Sequence, residues 1–318
     1  MEIVTFETFN ERDQPLLQEA AAEHAVAFSH RDAPTGDEEV VLVEQRTLEV
    51  DDLARMTRLQ TIVLFEHGHA LLPINHIAAK GIAIKRIPNL SGLGVAEHTF
   101  ALILALKKQL IAGHQAVLEN RWREEVTAPL LTDQRAHVFN WSGLDGLGWI
   151  YGETLGIIGF GRIGKAVAAR GQAFGMDIVY FNRHRLAPSM ERQLGVRYAP
   201  LAELLSLSDV VTLHLPYSSE SEHLLGAAEI ARMKPTALLI NVARGRVVDE
   251  QALTAALQQR SIAGAGLDVL VYEPPYPDNP VLRLDNVVFS PHTAGIYSPI
   301  ARREQFRAAM RAAAEAIR

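Results

Sequence analysis

The amino-acid sequence predicts an α/β fold with two domains, each built on a doubly wound parallel sheet. The chain has 318 residues, which is more than one compact core usually holds. Short apolar runs alternate with helical patterns along most of the chain, and this alternation produces parallel sheets with helices on both faces. Near the middle of the chain, a glycine-rich turn joins an apolar run to a helical pattern.

Residues 1–94 are expected to form a small α/β unit of their own. A helix is expected after Pro15. Apolar runs predict four strands in this part, at residues 3–6, 40–43, 61–65 and 81–87. A long apolar helix over 95–111 is then expected to lead into the second domain.

The glycine-rich turn has the pattern of a dinucleotide site. Residues 155–158 and 177–181 predict buried strands, and Gly159, Gly161 and Gly164 lie between them as G-x-G-x-x-G before a helical pattern. The glycines permit a tight turn, the approach of a pyrophosphate and close packing of helix on strand, and the helix N-terminus attracts phosphate. The candidate cofactor-binding residues here are Gly159, Phe160, Gly161, Arg162, Ile163 and Gly164.

The residues after the second strand of this motif bear on the choice of cofactor. An NAD site has an acidic residue there, which accepts hydrogen bonds from the ribose hydroxyls. This chain has Asn182 instead, followed by Arg183, His184 and Arg185. Asn182 cannot repel a phosphate and the two arginines can pair with one, so we expect NADP to be preferred, with NAD still possible. The alternative is a solvated basic turn with a relaxed choice of cofactor.

Composition and charge argue against several other classes of protein. The formal net charge of -6 provides no basic surface for nucleic acid, and the absence of cysteine rules out disulfides and thiolate chemistry. The first residues lack the basic and apolar regions of a signal peptide, and the longest apolar run, 100–106, is too short to span a bilayer. A cytoplasmic protein without nucleic-acid or membrane partners is therefore expected.

The segment 113–150 has no clear periodicity and contains every tryptophan of the chain, Trp122, Trp141 and Trp149. Loops of this length are usually functional or flexible. We expect either a lid or subunit-contact segment, or a long surface loop held by its aromatic side chains.

Three chemically active residues follow the carboxyl ends of later strands. Four strands are predicted after the glycine motif, at residues 209–215, 237–242, 263–269 and 287–290. Arg244, Glu273 and His292 follow three of them, and ligands bind at this edge of parallel sheets.

The three side chains complement one another chemically. A guanidinium binds a carboxylate through two hydrogen bonds, an imidazole transfers protons near neutral pH, and a neighbouring carboxylate orients the imidazole ring. The set suits hydride transfer to a 2-keto acid. Taken singly, the same residues also fit a surface arginine, a solvated glutamate and a helix-capping histidine.

Residues 95–295 resemble the D-isomer-specific 2-hydroxyacid dehydrogenases, because six motifs occur in the family's order and spacing. The motifs are VAEHTFALILAL (95–106), TLGIIGFGRIGKAVA (154–168), SDVVTLHLP (208–216), LLINVARGRVVDE (238–250), GAGLDVLVYEPP (264–275) and SPHTAG (290–295). The resemblance implies a Rossmann nucleotide domain inserted into a split, flavodoxin-like substrate domain. The expected boundaries are 95–290 for the dinucleotide-binding domain, and 1–94 with 291–318 for the substrate-binding domain.

The resemblance also implies roles for individual residues. The family's catalytic arginine, glutamate and histidine correspond to Arg244, Glu273 and His292. Its remaining cofactor contacts correspond to His214, Leu215, Pro216, Val242, Ala243, Asp268 and Gly295. Its substrate-binding residues correspond to Glu66, His67, Gly68, Arg244 and His292.

The chain departs from the family's pattern in three places. Asn182 replaces the acidic residue, the segment 122–152 is longer than expected, and residues 66–69 read EHGH where the family commonly has a loop like G-x-G-x-D. The changed loop leaves the identity of the substrate open. With His76, this loop also suggests a metal site, but no full ligand set is evident, so no metal is expected.

The residues and the resemblance together predict an oxidoreductase that transfers a hydride between NADP(H) and small 2-keto or D-2-hydroxy acids. The resemblance also implies a homodimer, which the apolar helix over 95–111 and the tryptophan-bearing segment after it suit. The alternative from another class is a corepressor-like dinucleotide sensor without turnover. The presence of Arg244, Glu273 and His292 together argues against such a sensor, which has no need of all three. Glyoxylate, hydroxypyruvate, sugar-derived keto acids and aromatic keto acids all remain open as substrates.

Overall fold

A computed structural model describes residues 2–66, 72–296 and 298–316. The chain divides into two compact units. The first contains the residues up to Ser91 together with those from Ile296 onward, and the second is Gly92–Gly295. The boundaries expected from the sequence were 94/95 and 290/291. No helix in the described part of the chain is long and apolar enough to cross a membrane.

The described residues form parallel strands and the helices that connect them. The strands are β1 (Glu2–Thr5), β2 (Ala27–His30), β3 (Val40–Val43), β4 (Thr61–Phe65), β5 (Ala83–Ile87), β6 (Thr154–Ile158), β7 (Asp177–Phe181), β8 (Arg197–Tyr198), β9 (Val210–Leu213), β10 (Leu238–Asn241), β11 (Gly264–Leu267) and β12 (Val287–Phe289). The helices are α1 (Asp13–Glu23), α2 (Val50–Arg55), α3 (Ile74–Ala79), α4 (Ser91–Lys107), α5 (Leu110–Leu118), α6 (Arg162–Ala173), α7 (Pro188–Leu194), α8 (Leu201–Leu207), α9 (Ala227–Ile230), α10 (Glu250–Gln258) and α11 (Pro299–Ala316).

The first unit is a parallel sheet of five strands in the order β2-β1-β3-β4-β5. This is the flavodoxin-like order of doubly wound sheets. Strand β2 was missed in the sequence because it is a short edge strand whose four residues are exposed or half-buried, so it lacks an apolar run. The central strands β3 and β4 are buried along their whole length, as expected for a sheet covered on both faces.

Two apolar layers cover this sheet. One contains residues of α1 and α11, and the other contains residues of α2 and α3. Helix α11 contributes Phe306, which is fully buried and lies edge-on to Phe9 and Phe65 at ring-centroid distances of 5.7 and 6.0 Å. Helix α11 therefore completes the core of the first unit, although the whole second unit separates it from β1–β5 in the sequence.

The second unit is a parallel sheet of seven strands in the order β12-β11-β10-β9-β6-β7-β8. Six of these strands follow the Rossmann order, in which the crevice between the first and fourth strands receives the dinucleotide. Helices α4 and α6 pack on one face of the sheet, and α8, α9 and α10 pack on the other. The prediction of two doubly wound parallel-sheet domains is confirmed.

The single helix predicted over 95–111 is wrong in one respect. Helix α4 ends at Lys107, and Gln109 has a left-handed backbone with φ of 50°, so α5 begins at Leu110 as a separate helix. From Leu118 to the start of β6, the chain contains neither helix nor strand, although every residue there is described.

Candidate active site

The predicted site residues follow one row of paired residues across the second sheet. Register places this row at the carboxyl ends of six strands, in the order Phe181, Ile158, Leu213, Asn241, Leu267 and Phe289. Gly159, His214, Arg244, Asp268 and His292 each lie one to three positions beyond a residue of that row. Parallel strands thus bring residues distant in sequence to the same sheet edge.

The glycine turn has the shape that a pyrophosphate requires. Gly159 has φ of +93°, and a Cβ there would lie 2.6 Å from the His214 carbonyl oxygen. A Cβ on Gly164 would lie 2.3 Å from the Gly159 carbonyl oxygen, whereas one on Gly161 would meet nothing within 4 Å. Gly161 is the N-cap residue of α6, so the open space adjoins the positive end of a helix. The turn therefore fits a bound dinucleotide.

The other side chains of this turn have packing roles. Phe160 is 2% exposed, and its ring lies 4.4 Å from that of Tyr180. Ile163 packs against the core on the same side of the sheet. Only backbone atoms of these two residues can therefore contribute to a phosphate site, and Arg162 begins α6.

A cavity of about 200 Å³ opens beside the glycine turn. Its lining includes five residues of the predicted cofactor set, Gly159, Asn182, Arg183, Leu215 and Pro216. Sequence reasoning missed the rest of its lining, which comes from the end of β7 and from the loop after β9, namely Phe181, Ser218, Glu220, Ser221 and Leu224. The position of that loop directly after a strand end was the signal that could have found it.

The two arginines after β7 differ in their surroundings. Arg183 lines the cavity and forms an ion pair with Glu220. Arg185 instead donates two hydrogen bonds of 2.8 Å to the carboxylate of Glu191, which also accepts one from the Tyr180 hydroxyl. The hydrogen bonds from Arg185 lower the pKa of Glu191 to about 2. Of the two arginines expected to bind a phosphate, the structure thus places only Arg183 beside the cavity.

Asn182 and His184 form the turn that carries Arg183. The Asn182 amide donates to the His184 carbonyl oxygen at 3.2 Å and thereby closes the turn. Asn182 is half-buried and lines the cavity, whereas His184 is exposed and does not line it. Of these two residues, only Asn182 therefore lies beside the cavity.

Glu273 and His292 lie in direct contact. The distance from the Glu273 carboxylate to Nδ1 of His292 is 2.5 Å. The side chains of His292 and Glu273 are 47% and 37% exposed, so a reactant can reach the pair. Since Nδ1 faces the carboxylate, Nε2 is the ring nitrogen that can exchange a proton with a substrate.

Asp268 holds the turn that carries His292. Its buried carboxylate accepts hydrogen bonds from the Ser290 hydroxyl at 2.6 Å and from the backbone amides of Thr293 and Ala294 at 2.9 and 3.0 Å. The Asp268 carbonyl oxygen accepts from the His292 amide at 2.9 Å. His98 on α4 also contacts the Ser290 hydroxyl, at 2.7 Å. Asp268 was predicted only as a cofactor contact, and its role in fixing this turn was missed.

Asn241 and Gly245 fix the backbone of the turn that carries Arg244. The buried amide of Asn241 accepts from the Ala243 amide and donates to the Arg244 carbonyl oxygen, each at 3.0 Å. A Cβ on Gly245 would lie 2.1 Å from the backbone of Leu270, so only glycine allows this close approach. The Arg244 side chain is exposed and donates to the Ala243 carbonyl oxygen at 2.6 Å.

Three further predicted cofactor residues lie near this edge. Val242 and Ala243 directly follow β10 and are buried, with exposed fractions of 8% and 7%. Gly295 ends the second unit, and a Cβ there would meet only Val95, at 3.9 Å.

His214 has an unusual environment. Both ring nitrogens are buried without a hydrogen-bond partner among the described residues, although the residue as a whole keeps some accessible surface. Burial lowers the pKa of His214 to about 3, because a charged imidazole would be desolvated. The ring is therefore neutral throughout the physiological pH range.

The predicted substrate loop is only partly described. Glu66 follows β4, and its backbone amide donates to the Ile87 carbonyl oxygen at 3.0 Å. His67, Gly68 and His69 lie outside the described residues, so their predicted roles stay predictions. The described residues contain no group of three potential metal ligands, but the hypothetical metal site depended on that same loop.

The fold and this sheet edge define a dinucleotide-binding oxidoreductase. The family model of the D-isomer specific 2-hydroxyacid dehydrogenase NAD-binding domain matches residues 100–294. A glyoxylate reductase from Korarchaeum cryptofilum is 39% identical over 238 residues, which cover 74% of this chain and 67% of that protein. The chain belongs to the family of D-isomer specific 2-hydroxyacid dehydrogenases, and the predicted family and enzyme class are confirmed.

Two solved structures show the same fold over nearly the whole chain. A D-isomer specific 2-hydroxyacid dehydrogenase from Lactobacillus delbrueckii ssp. bulgaricus, in its NAD-complexed form, is 25% identical with a TM-score of 0.73. An acyclic imino acid reductase in complex with NADPH and D-Arg is 27% identical with a TM-score of 0.65. Each alignment covers 96% of this chain and 94% of the other chain.

Proposed function

We propose that this oxidoreductase preferentially uses NADPH to reduce small 2-keto acids to D-2-hydroxy acids. The observation that carries the proposal is the 2.5 Å contact between Glu273 and Nδ1 of His292, at the sheet edge that also bears the glycine turn. A ring oriented in this way is suited to proton donation. A dinucleotide sensor without turnover would need the glycine turn but not this pair.

Each of the three polar residues has a defined part in the reaction. Arg244 binds the substrate carboxylate and polarises the keto oxygen. Protonated His292 donates its Nε2 proton to the keto oxygen, and the imidazole becomes neutral. The reduced nicotinamide, when bound, supplies the hydride that the keto carbon accepts. Glu273 keeps the His292 ring oriented through its contact with Nδ1.

The preference for NADPH rests on Arg183 and Asn182. Arg183 lines the cavity beside the glycine turn, where the adenosine end of a dinucleotide lies in such folds. A guanidinium there binds a 2′-phosphate, and the neutral Asn182 does not repel it. Arg185 contributes less, since Glu191 occupies its guanidinium. Among similar structures, one holds NADPH and another holds NAD, so both nucleotides are compatible with the fold.

Glyoxylate is the substrate that the comparisons favour. Several similar proteins, including those of Korarchaeum cryptofilum and Thermococcus onnurineus, are glyoxylate reductases. We therefore propose glyoxylate and closely similar small keto acids, with hydroxypyruvate next.

A homodimer is also proposed. Helix α5 exposes Leu110, Ile111, Val117 and Leu118 by 55–67%, and Trp149 is 76% exposed in the segment that follows. A patch of large apolar side chains on one stretch of chain favours contact with a second copy. Light scattering at micromolar concentration should give twice the monomer mass, and Leu118→Lys should lower it.

The experiment that tests the function compares kcat/KM for glyoxylate, hydroxypyruvate, pyruvate and phenylpyruvate with NADPH and with NADH. Arg183→Ala should lower kcat/KM for NADPH by about tenfold or more and change the value for NADH little, because one charge-assisted contact is lost. Arg197→Ala is the matched control, since Arg197 is an exposed arginine paired with Glu203 and does not line the cavity. The absence of turnover with every keto acid would contradict the proposal.

A further inference from the structure

An acidic residue, Glu220, lines the cavity beside the glycine turn and pairs with the arginine proposed to bind the cofactor. Glu220 lies in the loop after β9 and lines the cavity together with Asn182 and Arg183. Its carboxylate forms an ion pair with the guanidinium of Arg183. The side chains of Arg183 and Glu220 are 74% and 69% exposed, so the pair lies at the rim and can separate without disturbing the core.

Arg183 is the only basic residue among the described residues that line this cavity. The nearby Arg185 is bound to Glu191 and lies over the ring of Tyr198. A phosphate entering the cavity therefore has one guanidinium available, and that guanidinium is already paired with Glu220. Binding of such a phosphate requires an exchange of partners.

We propose that Glu220 is a specificity-determining residue that holds Arg183 until a 2′-phosphorylated dinucleotide displaces it. The inference rests on the proposed NADPH-binding role of Arg183. A 2′-phosphate carries about two negative charges near neutral pH and competes for the guanidinium, whereas a ribose hydroxyl is neutral and does not. After the exchange, the Glu220 carboxylate remains close to the phosphate as a like charge. Glu220 therefore weakens the preference for NADPH that Arg183 alone would give.

Glu220→Gln tests this inference without removing side-chain volume. We expect kcat/KM for NADPH to rise about three- to tenfold, the scale of losing one exposed ion pair and one like-charge contact. The value for NADH should stay within about twofold. Dissociation constants for 2′,5′-ADP and for ADP should show the same difference, and this readout does not depend on turnover.

Glu222→Gln is the matched control. Glu222 lies on the same loop and pairs with Arg246, but it does not line the cavity. The variant should leave the ratio of NADPH to NADH use unchanged. A gain equal to that of Glu220→Gln would show a general charge effect and overturn the inference.

The double variant Arg183→Ala/Glu220→Gln tests whether Glu220 acts through Arg183. If Glu220 acts by holding the guanidinium, its removal should raise NADPH use by a smaller factor in the Arg183→Ala background than in the wild type, because only the like-charge contact with the phosphate is then lost. Three results would each overturn the exchange. The first is a full gain in NADPH use in the Arg183→Ala background, and the second is an unchanged kcat/KM for NADPH in Glu220→Gln. The third is a loss of NADH use in Glu220→Gln that is larger than the gain in NADPH use.

The variants distinguish a failure of this inference from a failure of the proposed function. If Arg183→Ala lowers NADPH use but Glu220→Gln does not change 2′,5′-ADP affinity, the exchange is wrong and the role of Arg183 stands. If Arg183→Ala leaves the cofactor ratio unchanged, the proposed NADPH site itself is wrong.

Discussion

At the scale of single residues, the pair of Glu273 and His292 determines how the proposed proton transfer responds to substitution. We expect His292→Ala to lower kcat for keto-acid reduction by about a hundredfold or more, the usual contribution of a general acid. NADPH affinity should change little, because the proposed phosphate site is at the glycine turn and not at His292. Steady-state kinetics with a separate measurement of NADPH binding would check this, and near wild-type turnover would contradict the assignment.

Glu273→Gln should have a milder effect than loss of the ring. The amide still contacts Nδ1 of His292, so the ring keeps a partner, but the charge-assisted hydrogen bond is replaced by a neutral and weaker one. kcat for keto-acid reduction should therefore fall by less than it does in His292→Ala. Steady-state kinetics measures both losses, and a loss equal to that of His292→Ala would contradict this orienting role of Glu273.

His214 should produce a recognisable pH dependence of stability. Its folded-state pKa of about 3 lies below the unfolded value of about 6.5, so the unfolded state binds the extra proton between these values. Stability should fall as pH falls below about 6.5, with a slope of up to about 1.4 kcal/mol per pH unit from this group. His214→Leu should remove that part of the slope.

Urea unfolding at several pH values between about 4 and 7 would measure the His214 effect as a difference between variant and wild type. His137→Leu is the control, because His137 is exposed. Equal slopes of stability against pH in wild type and His214→Leu would contradict this prediction, because they would mean that folding does not lower the pKa of the ring.

At the scale of secondary-structure elements, the sequence predicted the strands that have a clear apolar pattern and missed those without one. Uninterrupted apolar runs predicted the buried strands β3, β4 and β7 with their observed bounds. Strand β8 has only two residues, and β2 lies at an edge with half-exposed side chains, so neither gives a periodic signal. The break between α4 and α5 depends on the backbone of one residue, Gln109, and apolar residues on both sides hid it.

The order of strands along the chain predicted which residues lie at the candidate site. It did not predict which side chains pair with one another there. The placement of Arg244, Glu273 and His292 at one sheet edge was predictable, because each comes after a strand end and parallel register brings strand ends together. Their catalytic roles stay predictions. The pairing of Arg185 with Glu191 was not predictable, since it depends on how α7 presents its side chains. The same holds for Glu220, whose loop has no regular structure.

At the scale of the whole molecule, a buried ion cluster joins α11 to the rest of the first unit. Arg302 on α11 donates to Glu44 at 2.7 and 2.8 Å and to Asp13 at 2.8 Å, and its side chain is 6% exposed. Burial opposes the charged form of Arg302, but the hydrogen bonds to Glu44 and Asp13 outweigh this effect and raise its pKa.

Arg302→Leu should therefore destabilise the first unit by about 3 kcal/mol or more, because it leaves the Glu44 carboxylate buried without its cation. Arg303→Leu on the same helix should cost less than about 1 kcal/mol, since Arg303 pairs with Glu19 where both side chains are partly exposed. Thermal and urea unfolding would compare the two. Equal losses would mean that the cluster adds nothing beyond a surface ion pair.

The position of α11 also affects how the protein is made. The strands of the first unit are synthesised first, but the helix that covers Phe9 and Phe65 comes after the whole of Gly92–Gly295 in the chain. At the usual speed of translation, roughly 10–40 s pass between the two. During that time the second unit can fold on the ribosome while the first still exposes an apolar sheet face. That face is therefore open to aggregation until α11 leaves the ribosome.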